Sequence, residues 1–266
     1  MDKMDMFDLG GQTALITGAG QGAGRGIARM FVSFGARVVV NDFVLERAEA
    51  VADEIREAGG QAIAAQADVG DLESVRAAAA KGQQAFGPVT LLVNNAGMAG
   101  PNARMGYSKP FWESDPAEWD NYVRTNMTGV FNCCHAVLPG MVEANRGRIV
   151  TVVSDSGRVG EARLAVYAAA KAGAAGFVRS LAKETGRYGI TCNAISLSSL
   201  EPPMEPEALE KWLGSDQTKA QLSRYIIRRF GKPDDVAAMA LFLCSDAASW
   251  ITGQTYPVNG GYSVTM

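Results

Sequence analysis

Tyr167 and Lys171 stand four residues apart in the run Tyr-Ala-Ala-Ala-Lys. On a helix, positions i and i+4 share a face, so a phenol and an ammonium would project to the same side. A free phenol is a poor base at neutral pH because its pKa is about 10. A cation about 4 Å away favours the phenolate by roughly 4 kcal/mol at an effective dielectric near 20, at most about 3 pKa units. The pair is a candidate acid/base device, although alone it is also an ordinary helix surface. Ser154 lies 13 residues before Tyr167, at the end of a β-branched run. A hydroxyl at the carboxyl end of a strand can face a ligand crevice. Asn94-Asn95-Ala96-Gly97 follows another such run, and Asn126 falls within a long helical pattern.

A second constellation could hold a nucleotide. Thr17-Gly18-Ala19-Gly20-Gln21-Gly22-Ala23-Gly24 separates a short apolar run from an amphipathic one. Glycines at Gly18, Gly22 and Gly24 permit a tight turn and close approach of backbone N–H groups to a pyrophosphate. Gln21 and Ala23 lie within the same loop, and the following helix N-terminus adds roughly half a positive charge. Asp42 closes the next run, 18 residues after Gly24. Its carboxylate can accept hydrogen bonds from adenosine ribose hydroxyls and would repel a 2′-phosphate, which favours NAD over NADP. No Arg or Lys follows Asp42 before Arg47.

The elements that must position these groups alternate along the chain. Strands are predicted over residues 13–17, 37–41, 61–66, 89–93, 148–153, 190–195 and 255–258. Helices are predicted over 22–34, 45–58, 72–86, 117–143 (bent near Asn126), 165–188 and 234–244. The strands are short and nearly all apolar, as burial on both faces requires. Gly35, Gly59, Gly60 and Gly87 fall where helices should stop. Regular β-α alternation predicts an α/β fold, a doubly wound parallel sheet with helices on both faces. With no linker or repeat in the pattern, residues 1–266 are read as one catalytic domain.

In this order, the Thr-Gly-x-x-x-Gly-x-Gly loop, the Asn-Asn-Ala-Gly turn, the lone Asn126, Ser154 and Tyr-x-x-x-Lys resemble the short-chain dehydrogenase/reductase family. The likeness extends over about residues 9–261, in the compact branch that includes 3-oxoacyl reductases and secondary-alcohol dehydrogenases. It implies a Rossmann-type fold and hydride transfer between NAD and a secondary alcohol or ketone. Tyr167 would be general acid/base and Ser154 would bind the substrate oxygen. Lys171 would lower the Tyr167 pKa and hold the nicotinamide ribose, and Asn126 would hold a relay water. Asn94, Ala96 and Gly97 would line the cofactor, and Asp68 and Val69 would meet the adenine. The family usually carries Pro-Gly after the sixth strand and a Thr shortly beyond. Here Leu197, Ser198 and Pro202 stand at those positions, leaving the Leu200 backbone N–H to meet the nicotinamide carboxamide. The resemblance further implies a homotetramer built through the long helices and the last strand. Small residues between Ala168 and Gly176 suit close helix packing.

Composition sets the outer limits. Apolar residues make up 47% of the chain and charged ones 20%, with a net charge of −3. No basic field is available for nucleic acid or an anionic membrane, and no apolar run of about 18 residues suggests a span. The first residues are acidic rather than signal-like. Cys133, Cys134, Cys192 and Cys244 lack C-x-x-C spacing and read as reduced thiols of a cytoplasmic protein. A single His135 makes no multi-histidine metal site. Because fold does not fix function, a catalytically silent NAD-binding regulator or scaffold stays open as the alternative. An intact Tyr167, Lys171 and Ser154 favour an enzyme.

The substrate is the least legible part. Residues 98–116 form a stretch between Gly97 and Asn126 punctuated by Gly100, Pro101, Gly106, Pro110 and Pro116. That reads as an ordered loop beside the crevice. With residues 201–225 it is expected to wall the site. Met98, Trp112 and Met204 would give apolar surface, with Ser154 at the reacting oxygen. Arg163 and Arg158 would sit near an anionic substrate end. The expectation is a substrate that is apolar around its carbinol carbon, cyclic or an acyl thioester.

Overall fold

The computed structural model describes residues 5–97 and 110–264. Among them, seven strands form one sheet: β1 (Thr13–Ile16), β2 (Arg37–Asp42), β3 (Ala62–Gln66), β4 (Val89–Asn94), β5 (Gly147–Ser154), β6 (Ile190–Leu197) and β7 (Thr255–Val258). Their spatial order is β3-β2-β1-β4-β5-β6-β7, and every neighbouring pair is parallel. The chain first builds outward from β1 to β3, then returns to β1's other edge with β4. This reversal opens a crevice above the carboxyl ends of β1 and β4, the usual ligand position in such sheets.

Alternation along the strands divides the core in two. Ala14, Ile16, Val38 and Val40 face α1 (Gly22–Ser33), α2 (Leu45–Glu57) and α10 (Pro233–Cys244), where Ile27, Phe31 and Leu241 are buried. Leu15, Val39, Leu92 and Ile149 face the opposite layer. There α3 (Leu72–Phe86), α5 (Gly129–Glu143) and α7 (Ala165–Thr185) supply Val75, Val137 and Val178. Burial on both faces explains why the strand sequences are apolar throughout rather than alternating.

The strands lie within a residue or two of their predicted ranges, but the helix expected over 117–143 is broken. Pro116–Glu118 is a 3-10 turn started by Asp115, whose carboxylate accepts from the Ala117 N–H at 2.9 Å. Then come α4 (Trp119–Val123), a π-helical turn at Arg124–Thr128, and α5. The expected bend near Asn126 is this π turn, a feature that often marks functional positions. Three short helices were not foreseen: α6 (Ser156–Val159), α8 (Pro206–Leu213) and α9 (Asp216–Leu222). The latter two are about two turns long and neither fully buries an apolar residue, although Leu209, Trp212 and Leu213 form a half-buried apolar stripe on α8.

Candidate active site

The crevice is a cleft of about 530 Å³. At its adenosine end, Gly18, Gln21, Gly22 and Ala23 line the turn between β1 and α1. Gly18 has φ +60°, and a Cβ there would lie 2.9 Å from Ala96 Cα. A Cβ on Gly24 would lie 2.3 Å from the Gly18 carbonyl oxygen. Gly24 thus packs the loop against itself and does not line the cleft, correcting its expected place at the cofactor surface. The Asp42 carboxylate is fixed by the Gly20 N–H at 3.1 Å and the Val44 N–H at 3.0 Å. Asp68 and Val69 border the same end. Asp68 is held by the Gly70 N–H at 2.8 Å and pairs with Arg124 at 2.7 Å.

Asn94 is displaced from its expected role. Its side chain is buried under the sheet's end, donating to Thr151 Oγ1 at 3.2 Å, because inward register at β4 sends it toward β5. Its neighbour Asn95 lines the cleft instead. The Asn95 amide donates to the carbonyls of Thr17 at 2.9 Å and Gly18 at 3.0 Å, stitching the glycine loop to β4. Ala96 and Gly97 also line the cleft. Arg47 borders it beside Asp42, a residue that sequence distance alone left out.

The reacting end gathers Ser154, Tyr167 and Lys171. Ser154 ends β5 and lines the cleft with Tyr167, its hydroxyl accepting from Ser156 Oγ at 2.9 Å. Lys171, one helical turn beyond Tyr167, is 4% exposed and donates to the Val152 carbonyl at 2.9 Å. Its Nζ lies 5.9 Å from the Tyr167 ring centre. A Cβ on Gly97 would lie 3.1 Å from Lys171 Nζ and 3.3 Å from Asn126 Oδ1. The ammonium and the Asn126 amide oxygen therefore flank one small gap, with Asn126 buried and anchored to the Tyr122 carbonyl at 2.9 Å.

The electrostatics differ from the expectation. Burial pushes the Tyr167 phenol above its ordinary value, and the Ser154 hydrogen bond opposes that rise. Burial brings Lys171 down from 10.5 to about 8. Desolvation disfavours both charged forms at once, so the expected lowering of Tyr167 is outweighed in this dry setting.

Asp155, beside Ser154, is a supporting group the sequence did not disclose. Its buried carboxylate accepts from Ser196 Oγ at 2.6 Å, Asn259 Nδ2 at 2.7 Å and Ser263 Oγ at 2.9 Å. It also pairs with Arg158 at 3.1 Å, so Arg158 braces the site rather than facing a substrate. These bonds tie the ends of β5 and β6 to the segment after β7 beneath Ser154.

A second cavity of about 330 Å³ adjoins Tyr167. Phe111, Trp119, Tyr122 and Arg163 are among its walls. Phe111 stacks on Trp119 at 5.2 Å, and Tyr122 meets the Tyr167 ring edge-on at 6.5 Å. Two expectations are corrected here. Trp112 is 81% exposed and borders neither cavity, because the 3-10 turn Phe111–Glu113 rotates its side chain outward. Met204 is exposed and also absent from both walls. Met98 lies outside the described residues. Leu200 and Ser198 do border the main cleft.

No cluster of three or more His, Cys, Asp and Glu suited to a metal occurs among the described residues. None of their helices is long and apolar enough to cross a membrane. All four cysteines are free and buried.

A switch-point cleft with a glycine-rich loop at one end and a Ser-Tyr-Lys set at the other defines an oxidoreductase architecture. The family model described as enoyl-(acyl carrier protein) reductase matches residues 18–263, and the chain belongs to the short-chain dehydrogenase/reductase family. It is 39% identical over 252 residues to 3-oxoacyl-(acyl-carrier-protein) reductase FabG of Staphylococcus aureus, covering 94% of this chain and 97% of that one. It is 39% identical over 253 residues to the (2S)-((R)-hydroxy(phenyl)methyl)succinyl-CoA dehydrogenase subunit BbsD of Thauera aromatica, covering 95% and 97%. A 7α-hydroxysteroid dehydrogenase solved with NADH and 7-oxo glycochenodeoxycholic acid superposes with a TM-score of 0.87 at 36% identity, covering 98% of each chain. A gluconate 5-dehydrogenase from Burkholderia cenocepacia, solved with NADP and tartrate, gives 0.86 at 31% identity and 99% of each chain.

Proposed function

We propose that this chain, acting as one catalytic domain, is an NAD-dependent dehydrogenase or ketone reductase for secondary alcohols. Its substrate is apolar around the carbinol carbon, cyclic or an acyl thioester. The observation that carries the reading is Tyr167 lining both the cleft, where Ser154 and Lys171 meet it, and the aromatic cavity.

The residues fit a nicotinamide dinucleotide. Gly18, Gln21, Gly22 and Ala23 would cradle its pyrophosphate, Asp42 its adenosine ribose, and Asp68 and Val69 its adenine. Ala96, Gly97, Lys171 and the Leu200 backbone would meet the nicotinamide half. When bound, the nicotinamide supplies or accepts the hydride. The Tyr167 hydroxyl gives its proton to the carbonyl oxygen during reduction, or takes it from the alcohol during oxidation. Ser154 orients that oxygen. Lys171 and Asn126, on the two sides of one gap, pass the proton between Tyr167 and solvent. Phe111, Trp119 and Tyr122 give the apolar wall, and Arg163 suits an anionic group at the far end of the substrate. The named substrates of several relatives, an acyl carrier protein thioester, a CoA thioester and a steroid, agree with such a wall.

Relatives bind either cofactor, one with NADH and one with NADP, so the preference rests on this chain's own residues. Asp42 at the ribose favours NAD, while Arg47 beside it offers a 2′-phosphate a partner. The experiment is NAD- and NADP-linked oxidation of a panel of secondary alcohols. NAD should win, and Asp42→Ala should narrow the gap about tenfold by removing a repulsive contact. Faster turnover of wild type with NADP defeats the cofactor assignment, and no turnover with any alcohol supports the silent scaffold. A cytoplasmic homotetramer completes the proposal. The free thiols agree with a reducing compartment, and the Phe131–Phe177 pair on α5 and α7 and the 99% exposed Trp250 near β7 offer apolar contact surface.

A further inference from the structure

One buried phenol has no part in the chemistry above. Tyr225 follows α9 and is 2% exposed, among the largest fully buried side chains. Its ring lies 5.9 Å from Phe230 and 5.2 Å from Tyr262. A phenylalanine could fill such an aromatic nest without burying a polar atom, and a buried hydroxyl is favourable only when it is hydrogen-bonded. The Tyr225 hydroxyl reaches back across 26 residues to accept the Ser199 backbone N–H at 3.1 Å.

Ser199 sits where β6 leaves the sheet at the rim of the cleft. Its neighbours Ser198 and Leu200 border the cleft, and Ser199 does not. That alternation is what an extended backbone produces. The segment is gripped only from the side away from the cleft. Ser198 Oγ donates to the Asn259 carbonyl at 3.2 Å, and the Gly231 N–H donates to the Ser199 carbonyl at 3.1 Å. The Glu201 N–H donates to the Gly231 carbonyl at 2.9 Å, and Gln221 Nε2 meets Ser199 Oγ at 3.2 Å. Among these bonds, that to Tyr225 fixes the amide of the residue standing between the two cleft-facing ones.

We propose that Tyr225 is a positioning residue for the nicotinamide, its hydroxyl holding the Ser199 amide and so placing Ser198 and Leu200 against the carboxamide end of the cofactor. The proposal rests on the dinucleotide reading of the cleft. Beyond β6 the rim is bridged in parallel from Leu200 to Gly231, and the Ser199 N–H on the same stretch is held by the Tyr225 hydroxyl. That bond from a rigid aromatic nest fixes the Ser199 peptide plane before the cofactor arrives, which is preorganisation at the nicotinamide end.

The test compares NADH with ADP-ribose, which shares the adenosine, pyrophosphate and second ribose but lacks the nicotinamide. Both are titrated calorimetrically into wild type, Tyr225→Phe and Ser199→Pro. Tyr225→Phe keeps the ring and removes the acceptor, whereas Ser199→Pro keeps the phenol and removes the donor. Each should weaken NADH about 3- to 10-fold and leave ADP-ribose within about twofold of wild type, the scale of one lost neutral hydrogen bond. Equal weakening of both ligands overturns the proposal, because Tyr225 then only supports the fold. An unchanged NADH-to-ADP-ribose ratio in the variants overturns it too. If Tyr225→Phe does not fold, the ratio in Ser199→Pro decides. Wild type that binds neither ligand defeats the dinucleotide reading itself and the proposal with it, whereas wild type that binds the two equally shows no nicotinamide contact and overturns the proposal alone.

Discussion

The two ends of the cleft are built from different materials. At the adenosine end the ligand-facing surface is largely backbone, held by short-range turns and by Asn95. Asp42, its most suggestive acid, is fixed by amides within two residues or across one loop. At the reacting end the surface is side chains. Their positions depend on contacts between segments far apart in the chain: Lys171 with Val152, and Asp155 with Ser196, Asn259 and Ser263. An end made of backbone tolerates change wherever glycine geometry is kept. An end made of buried polar side chains is sensitive to the loss of a single atom, because each remaining partner is left dry.

The sharpest way to break this comparison is to delete one oxygen at the reacting end. Tyr167→Phe keeps the ring against Tyr122 and removes the proton carrier. The expected loss in kcat is about 100- to 10,000-fold, the range of positioned acid–base groups, with NADH affinity nearly intact. Steady-state rates and calorimetric binding check it. A variant keeping a tenth of the rate or more, against a general acid–base contribution of about 100-fold, would show that Tyr167 is not the acid/base.

Lys171 extends the comparison to stability. Its folded pKa of about 8 lies below the ordinary 10.5 because burial disfavours the ammonium. Between those values the folded chain binds fewer protons than the unfolded one. The cost of burying Lys171 is therefore full below about pH 8 and fades as pH rises toward 10.5. Lys171→Met removes that cost and also the bond to Val152. The stability difference between variant and wild type should move in favour of wild type by up to about 3 kcal/mol from pH 7 to pH 11. Urea unfolding across that range measures it. A difference that does not change with pH would mean that the ammonium is solvated in the folded protein.

The same contrast explains what was legible in the sequence. The sheet was readable because burial on both faces leaves an apolar signature in every strand. The glycine loop was readable because a close approach such as that of Gly24 to the Gly18 carbonyl excludes any side chain. Ser154, Tyr167 and Lys171 were found by helical spacing and by their order along the chain. Asp155 and Tyr225 were not, since nothing local marks an acid or a phenol whose partners are 41 to 108 residues away, or 26. The alternation that buries Leu92 carries Asn94 into the same layer, which leaves Asn95, the first residue beyond β4, facing the ligand. The π turn that carries Asn126 inserts one residue into a helical pattern, so a bend was foreseeable and its form was not.

The smallest expected effects concern the aromatic wall, where sequence and structure part most clearly. Gly and Pro punctuation pointed to a loop bearing Trp112 as the apolar surface. The structure turns Trp112 outward at 81% exposure and puts Phe111 and Trp119 at the cavity, stacked at 5.2 Å, with the Trp119 indole donating to Ser114 Oγ at 3.0 Å. An exposed side chain with no such partners contributes little, so Trp112→Ala should leave stability within about 0.5 kcal/mol and KM unchanged. Trp119→Ala removes the ring that Phe111 rests on. An aromatic pair of this kind contributes about 0.5–1.5 kcal/mol beyond its buried area, so KM for a bulky cyclic alcohol should rise about 2- to 12-fold. A small secondary alcohol, too short to reach the wall, should keep its kcat and KM in the same variant. That selectivity separates a substrate wall from a general loosening of α4, which would carry Asn126 with it and slow every substrate alike. The opposite pattern, with Trp112→Ala raising KM and Trp119→Ala silent, would return the wall to the loop and remove the aromatic cavity from the substrate's path.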